Sequence, residues 1–432
     1  MALKKLLNTE VSMESLHIQL GFQSGENLLI AGHPSARVYL PGTSLCSLSV
    51  DPSVLTSDLP RIGGAVGADW DDFHVHELPR TFPTGEGDHC MALILKVGRT
   101  TEEALTALAH GSGVSGAEIG YAGRKDRDSI STQWFSLPTL PASVASTDEQ
   151  VIILHAAAHP QKLKLGYSEG NLFTIRVRDL AHPEEVESSL ARIGAGIPNY
   201  FGPQRFGRPF YTQRPPEGYQ PPIDENGIPQ QDPDNPARDN VDRALLLLKR
   251  ADGQRRSSKG KNRRDEKLIF SALQSALFNL WVGERIQDGL FHKVILGDVC
   301  RKRGGGTFTS TEPSIDTERL HRGEIEVLGP LLGPKIFPAR DEALAREERL
   351  YSRWGLTSDL RSQLGRSWRG DRRALSLRPY ALSSHLEKPC EGGPHLRLSF
   401  ILPSGSFATS VLAALINPEF PFARAGECSR SE

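Results

Sequence analysis

The stretch Ile119-Gly-Tyr-Ala-Gly-Arg-Lys-Asp-Arg-Asp128 decides how the rest of the chain is interpreted. It places one acid, Asp126, between two cations, Lys125 and Arg127, directly after a glycine turn. A carboxylate beside an opposite charge stays ionised, and Arg127 is the neighbour expected to pair with it. Taken alone, an Asp beside an Arg is more simply a surface salt bridge, so the surrounding sequence has to choose between the two interpretations.

A second stretch, Pro198-Asn-Tyr-Phe-Gly-Pro-Gln-Arg-Phe-Gly207, is rich in aromatic rings and amides. The amide of Asn199 can donate and accept hydrogen bonds, as the edge of a planar base requires. The ring of Phe201 can stack on such a base, a contact worth about 1–3 kcal/mol. The alternatives are a turn residue for Asn199 and a core residue for Phe201.

The bulk composition indicates a soluble protein of two domains. The chain has 432 residues, 38% hydrophobic and 24% charged, which is too long for one ordinary core. No signal peptide or membrane span is legible. The cysteines are far apart, with no Cys-x-x-Cys pair, so neither a metal site nor a disulfide framework is expected and a reducing cytoplasm is the simplest compartment. They are Cys46, Cys90, Cys300, Cys390 and Cys428.

Basic residues are concentrated between residues 249 and 267, although the net charge of the chain is only −1. A solvated flexible loop is the first interpretation of such a charge run. The other is that its cations neutralise RNA phosphates. The candidates for that role are Arg255, Arg256, Arg263 and Arg264.

Strand and helix patterns are mixed along the chain rather than alternating, which favours an α+β fold. Residues 1–60 read as a loosely structured N-terminal extension. Strands are predicted at 73–75, 90–97, 130–137, 151–155, 172–178 and 399–403, and a capping box of Thr100 and Glu103 predicts a helix that ends at Gly111. Helices are also predicted after Pro183 and over 237–286, 341–354 and 407–416. Residues 212–238 read as a linker, so the middle of the chain is interpreted as an insertion.

Several motifs together resemble the TruD family of tRNA pseudouridine synthases. The nucleophile motif of that family is similar to Gly120–Arg127, and its Thr-x-Gln-Trp segment to Thr132-Gln-Trp-Phe. The remaining matches, in chain order, are Asp72-Phe-His-Val75, Thr84-Gly-Glu-Gly-Asp-His89, Pro198–Gly207 and Leu402–Thr409. The resemblance covers residues from about Gly63 to Pro418 and is thin between about 208 and 340.

The resemblance implies a fold, a substrate and a set of site residues. The fold is a pseudouridine-synthase-type catalytic domain with a mixed, mainly antiparallel sheet, split into residues 61–207 and 371–432 around an inserted α/β domain at 208–370. The substrate is a uridine of tRNA, at position 13 in bacterial members. Asp126 is the catalytic residue, and the substrate-binding residues are Phe73, Lys125, Arg127, Asn199, Phe201 and Phe407. An isomerisation needs no cofactor, and no metal site is expected.

The residues leave some alternatives open. Asp126 can attack the anomeric carbon or remove a sugar proton to expel uracil, and the sequence does not choose. A noncatalytic tRNA-binding or RNA-chaperone protein is a second interpretation, which the intact Lys125-Asp126-Arg127 disfavours. An aspartate-based hydrolase of small nucleosides is a third, which fits poorly with the basic runs. A cytoplasmic monomer without an obligate protein partner is expected.

Overall fold

The described part of the chain forms a nine-stranded sheet, a four-stranded sheet and a small two-stranded sheet of Ile197–Pro198 with Ser376–Leu377. The computed structural model describes residues 62–66, 69–201, 262–353, 368–389 and 392–416, with residues 356, 358 and 361. The strands are β1 Ala65–Val66, β2 Phe73–Pro79, β3 His89–Val97, β4 Gly120–Tyr121, β5 Ile130–Leu137, β6 Val151–His159, β7 Ser168–Arg178, β8 Ile197–Pro198, β9 Val299–Lys302, β10 Thr307–Thr309, β11 Ile325–Leu331, β12 Asp371–Ala374, β13 Ser376–Leu377, β14 Tyr380–Glu387 and β15 His395–Pro403. The α-helices are α1 Thr101–Ser112, α2 Val186–Ala195, α3 Asn262–Gln287, α4 Pro313–His321, α5 Asp341–Arg353 and α6 Ala408–Leu415.

The larger sheet has nine strands, in the order β14-β15-β7-β2-β5-β3-β6, with β1 paired to β7 and β4 to β5. Its pairs are antiparallel apart from β2 and β5, which run parallel. Strand β15, from the C-terminal part of the chain, pairs along β7 from the first half. The predicted α+β class with a mixed, mainly antiparallel sheet is confirmed.

The smaller sheet has the order β10-β9-β11-β12 and is antiparallel throughout. Helix α3 packs closely on it, because a Cβ added at Gly329 of β11 would lie 2.5 Å from the ring of Trp281. We propose that this sheet belongs to the inserted domain. Strand β12 pairs with β11 in it, so on this proposal the inserted domain extends to Ala374, while the boundary at 371 stays a prediction.

One face of the large sheet carries helices on both sides of β2. Helix α1 covers β3 and β5 through Ile94, Leu108 and Phe135. Helices α2 and α6 cover β7 and β15 through a second set of buried side chains that includes Phe173 and Leu412. Opposite residues in a sheet share a face, and the register of β5 with β2 and of β2 with β7 puts both helical layers on the same face. A groove with β2 as its floor therefore runs between them.

Element ends differ slightly from the sequence predictions. Helix α1 has the predicted capping box, but it ends at Ser112 and is capped by Gly113, which is left-handed with φ +67°. Gly111 is instead required by packing, because a Cβ there would lie 2.7 Å from the backbone of Ala145. Residues 1–60, the linker at 212–238 and the start of the predicted helix at 237–261 lie outside the described residues. Within the described ranges, no helix is long and apolar enough to cross a bilayer.

Candidate active site

The loop that carries Asp126 is fixed at both ends by the sheet beside it. Gly120 lies just before the loop at a position that only a glycine can occupy, since a Cβ there would lie 2.4 Å from the carbonyl oxygen of Leu163. Gln133 Nε2 donates to the Gly123 carbonyl at 2.6 Å, and Gln133 Oε1 accepts from the Thr101 hydroxyl at 2.9 Å. That hydroxyl in turn accepts from the backbone N–H of Lys125 at 2.8 Å. The main chain of the loop is thus held on both sides of Arg124.

Lys96 lies beneath the loop and was not recognised as a site residue from the sequence. It is fully buried on β3, and its ammonium group donates to the carbonyl oxygens of Arg99, at 2.7 Å, and Asp126, at 3.2 Å. Burial, together with the charge of Lys125, lowers the pKa of Lys96 to about 8, and Asp126 opposes this shift. A lysine inside the apolar run Met91-Ala-Leu-Ile-Leu-Lys96 is the sequence signal that could have identified it.

Asp126 is exposed, and none of the described residues donates a hydrogen bond to its carboxyl oxygens. Protein atoms nevertheless surround the carboxyl group, and desolvation raises its pKa above the ordinary aspartate value. Lys96 is the main opposing influence, Lys125 adds to it, and the charge of Asp128 raises the pKa further. The cations that favour ionised Asp126 are therefore two lysines.

Arg127 does not make the expected ion pair with Asp126. Its guanidinium binds Glu103 of α1, with 2.6 Å between Nη2 and Oε1. Glu103 is also the capping-box acid that accepts from the Thr100 backbone at 2.8 Å. Because the loop packs over the start of α1, Arg127 reaches an acid close in space instead of its sequence neighbour.

We predict that Arg127→Gln leaves the acid limb of the pH–kcat/KM profile where it is in the wild type. The exposed ion pair with Glu103 is expected to contribute only about 0.2–1 kcal/mol to stability. Arg124→Gln is the matched control, because Arg124 forms a similar exposed pair with Glu102 at 2.8 Å on the same loop. If the acid limb moves in the Arg127 variant and not in the control, the result would support an ion pair between Arg127 and Asp126 and contradict this prediction.

Lys125 points into the protein towards Glu77 of β2. Its Nζ lies 3.6 Å from Glu77 Oε2, and both side chains are almost completely buried. Glu77 Oε2 also accepts from the Trp134 backbone at 3.3 Å. Burial raises the pKa of Glu77, and Lys125 opposes that shift. This contact ties the catalytic loop to β2.

Strand β2 carries both Glu77, the partner of Lys125, and the candidate residue Phe73. Phe73, Val75 and Glu77 alternate along it and so share one face. Phe73 is half-buried and meets Phe173 edge-on, with ring centroids 6.2 Å apart. Phe73 and Val75 pack with the core under α6, whereas Glu77 contacts Lys125. The predicted pocket wall Phe73 therefore lies on the groove face.

Asn199 uses its amide within the protein. It follows β8 and is buried, with Nδ2 donating to the Ala374 carbonyl at 3.0 Å and Oδ1 accepting from Arg373 Nη2 at 2.6 Å. Its backbone carbonyl accepts from Arg373 Nε at 3.1 Å. Both ends of this amide are thus engaged by the protein in this conformation, and its contact with a base edge stays a prediction. The second sequence block is instead tied to β12 and the segment that follows it.

Phe201 is a core residue in this structure. Its ring packs against that of Phe278 of α3. The Asn279 side chain binds both backbone groups of Phe201, accepting from its N–H at 2.9 Å and donating to its carbonyl oxygen at 3.1 Å. The guanidinium of Arg373 covers the ring, 4.1 Å from its centroid. A cation thus lies where the sequence predicted a stacked base.

The structure brings most of the candidates together in two groups. Phe407 begins α6 and joins Phe201 and Arg373, with the two phenyl ring centroids 6.3 Å apart and the guanidinium 5.9 Å from the Phe407 ring. Asp126 and Lys125 form the other group with Lys96 and Glu77. Arg373 carried no sequence signal, since it is one arginine within the charged run Arg369–Arg373.

The structure describes none of the side chains of the four predicted RNA-binding arginines. Arg255 and Arg256 lie outside the described residues. Arg263 and Arg264 fall in the first turn of α3, where the backbone alone is described. Elsewhere in the described ranges, no three His, Cys, Asp or Glu side chains are grouped to hold a metal ion.

Comparison with known proteins adds an independent view of this arrangement. The family model described as tRNA pseudouridine synthase D (TruD) matches residues 49–213 and 238–415. A tRNA pseudouridine synthase D of Anaeromyxobacter sp. strain Fw109-5 is 37% identical over 371 residues, which are 85% of this chain and 96% of the relative. One from Thermus thermophilus is 38% identical, and the match covers 84% of this chain and 92% of the relative.

A solved structure shares the fold. The crystal structure of a putative tRNA pseudouridine synthase D from Methanosarcina mazei superimposes with a TM-score of 0.59. The match covers 84% of this chain and 96% of that one, at 22% sequence identity. At that identity the similarity supports the architecture alone.

Proposed function

Because the chain belongs to the TruD family and is thereby a tRNA pseudouridine synthase, an isomerase, we propose that Asp126 is its catalytic carboxylate. We further propose that its target is the uridine at position 13 of tRNA. The reaction breaks the N-glycosidic bond of the uridine, turns the uracil and rejoins it through carbon. Base and sugar must therefore stay in one site throughout.

The observation that carries this proposal is the environment of Asp126. Its carboxylate is exposed and receives no hydrogen bond from the described residues, while its backbone carbonyl is held by Lys96 and Ser129. A carboxylate so placed can attack C1′ of the ribose or remove a sugar proton, and both steps need its ionised form. Since desolvation raises its pKa, activity should fall with acid at a higher pH than for an ordinary aspartate.

The target uridine has to leave the tRNA stack to reach this carboxylate, at a cost of about a few kcal/mol. We propose that Phe73 and Phe407 form walls around the uracil, and that Lys125 and Arg127 fix the loop from either side through Glu77 and Glu103. Direct base contacts by Asn199 and Phe201 require Arg373 to leave the Phe201 ring as the base enters.

Mapping pseudouridine in cellular tRNA with and without this gene tests both activity and target position. The expected result is the loss of pseudouridine at position 13 in the tRNAs that carry it, with restoration by the wild-type gene. An unchanged pseudouridine map would contradict the assignment of this target. If pseudouridine is lost at another tRNA position instead, the proposed activity stands and the target is that other position.

We predict that replacing Arg255, Arg256, Arg263 and Arg264 together by Gln weakens tRNA binding and lowers its salt dependence. If all four contact phosphates, the slope of log K against log salt should fall by about three. The matched control replaces the same four residues by Lys, which keeps the charge. An unaltered slope in the Gln variant would return this segment to the interpretation as a solvated loop.

A cytoplasmic location and a monomeric state are further expectations from the sequence. Fractionation of cells producing the chain checks the first. Light scattering of the purified chain at several concentrations checks the second, with a single mass near 47.4 kDa as the expected result.

A further inference from the structure

A second cavity lies away from Asp126, between the two sheets. It has a volume of about 340 Å³ and is lined by the end of β9, the segment from β12 to Tyr380, and residues 403–406 before Phe407. Asn199 and Arg373 form one wall, so the cavity adjoins the second group of site residues. It therefore lies where a nucleic-acid strand could continue beyond the groove.

The lining is strongly basic. Five arginines face two acids, Glu326 and Asp371, in the cavity wall; the arginines are Arg301, Arg303, Arg372, Arg373 and Arg378. Three of these cations are already engaged, Arg301 with Glu326, Arg372 with Glu347 and Arg373 with Asn199. Arg303 and Arg378 differ, because no acid of the described residues lies within ion-pair distance of either.

Arg378 is placed as a ligand-binding cation would be. Its stem packs on Gly196, since a Cβ there would lie 3.2 Å from its Cγ and Nε. Its tip reaches Gly323 after α4, where a Cβ would lie 3.5 Å from Nη1. The Arg378 side chain thus extends from the end of helix α2 towards the second sheet. Burial lowers the pKa of its guanidinium. Tyr380 and Glu326 oppose this shift from beyond ion-pair distance. A partly buried guanidinium with no acid in contact is costly, and an anion would offset that cost.

Arg303 lines the same cavity and lies beside the Gly323–Glu324 turn, with its backbone N–H donating to the Glu324 carbonyl at 2.9 Å. It is exposed, and its guanidinium lies over the Tyr380 ring at 5.4 Å from the centroid. It is also close enough to Arg378 for the two charges to repel. Two like charges converging on one cavity favour a ligand with several anionic oxygens, and the planar guanidinium fits phosphate with paired hydrogen bonds.

We propose that Arg303 and Arg378 bind a backbone phosphate of the tRNA substrate in this cavity. The inference rests on the proposed function for the identity of the RNA. An RNA phosphate is favoured over free phosphate because the cavity adjoins Asn199, Arg373 and the residues leading into Phe407. A strand whose target uridine enters the groove would place a neighbouring phosphate here, and this contact would set the register of the RNA without reading its sequence.

The test measures tRNA affinity against salt concentration for Arg303→Gln and Arg378→Gln, each in the Asp126→Asn background so that no turnover occurs. Each variant should bind about 10-fold more weakly at moderate salt, with the salt slope reduced by about one. Arg397→Gln is the matched control, because Arg397 is an exposed arginine outside the cavity, paired with Glu387 at 2.6 Å. Arg303 is exposed, so its variant keeps the test valid if Arg378→Gln fails to fold.

A second arm locates the phosphate. tRNAs with a single neutral methylphosphonate are scanned along the strand near the target, and one position should weaken binding to the parent protein by about 10-fold. The same methylphosphonate should not weaken tRNA binding any further in the Arg303→Gln protein. Salt slopes and affinities equal to those of the control would overturn the proposal. A second result would also overturn the proposal. In it, inorganic phosphate raises the melting temperature of the parent but not of Arg378→Gln, and tRNA affinity is the same in both proteins. That result would assign the cavity to free phosphate.

Pseudouridine formation by the wild-type protein is measured separately. If the wild type modifies tRNA and the cavity variants keep the parent's salt slope, the cavity inference fails alone. If the slopes change as expected but the wild type forms no pseudouridine, the proposed function fails and the phosphate site stands.

Discussion

Asp126→Asn should abolish pseudouridine formation while tRNA stays bound. The amide has nearly the shape of the carboxylate but no negative charge, so it can neither attack C1′ nor take a sugar proton. We expect the single-turnover rate to fall by about 10⁴-fold or more, as for other catalytic groups that act as a unit. The tRNA dissociation constant should stay within about 3-fold of the wild-type value, because the carboxyl group has no hydrogen-bond donor among the described residues whose loss would disturb the fold.

Asp128→Asn is the matched control for this variant. It removes a negative charge two residues from Asp126. Because the charge of Asp128 raises the pKa of Asp126, its loss should lower that pKa. It should keep activity and move the acid limb of the pH profile slightly lower. Undiminished product from the Asp126 variant would remove that residue from the mechanism, whatever the control does.

Lys96→Met should lower kcat/KM at neutral pH by about 10²-fold and shift the acid limb of the profile upwards. The variant loses the hydrogen bonds to the Arg99 and Asp126 carbonyls, and small displacements of a catalytic group cost about that much. The sign of the pH effect follows from charge. Lys96 lowers the pKa of Asp126 against desolvation, so without it the pKa rises and the ionised form is lost at a higher pH.

The control for Lys96 is Lys162→Met. Lys162 also donates to a loop carbonyl, that of Ala117 at 2.8 Å, but Lys162 is not among the charges that shift the pKa of Asp126. A purely structural role for Lys96 would lower the melting temperature and the rate without moving the acid limb. A stable Lys96→Met protein whose limb coincides with that of the wild type would contradict our account of the site electrostatics.

The sequence predicted the fold well where local patterns determine the structure. Alternation identified β2, β5, β6 and β7, an apolar run identified β3, and the end of β15 was predicted, whereas β1, β4 and β14 were missed. The Thr100–Glu103 capping box placed the start of α1 correctly. Pairing between distant strands was less accessible, because register is set by contacts that one sequence does not reveal. The position of β12 in the second sheet is an example, since nothing local distinguishes Asp371–Ala374 from the segment that returns to the large sheet.

Charge partners were the weakest part of the sequence analysis. Arg127 was paired with its neighbour Asp126, whereas the fold gives it Glu103, 24 residues earlier. Lys96 was read as part of a buried strand, although a lysine within an apolar run is itself a signal of a buried, functional cation. The amide of Asn199 and the ring of Phe201 were identified as residues of interest, but their partner Arg373 lies 174 residues from Asn199 in the chain.

The most direct test of the account is the structure of the Asp126→Asn protein bound to its tRNA. We predict that the target uridine is turned out of the stack into the groove over β2, with its C1′ about 3–3.5 Å from the side-chain oxygen at position 126. A uridine that lies elsewhere, for instance in the arginine-lined cavity with C1′ out of reach of that side chain, would contradict it.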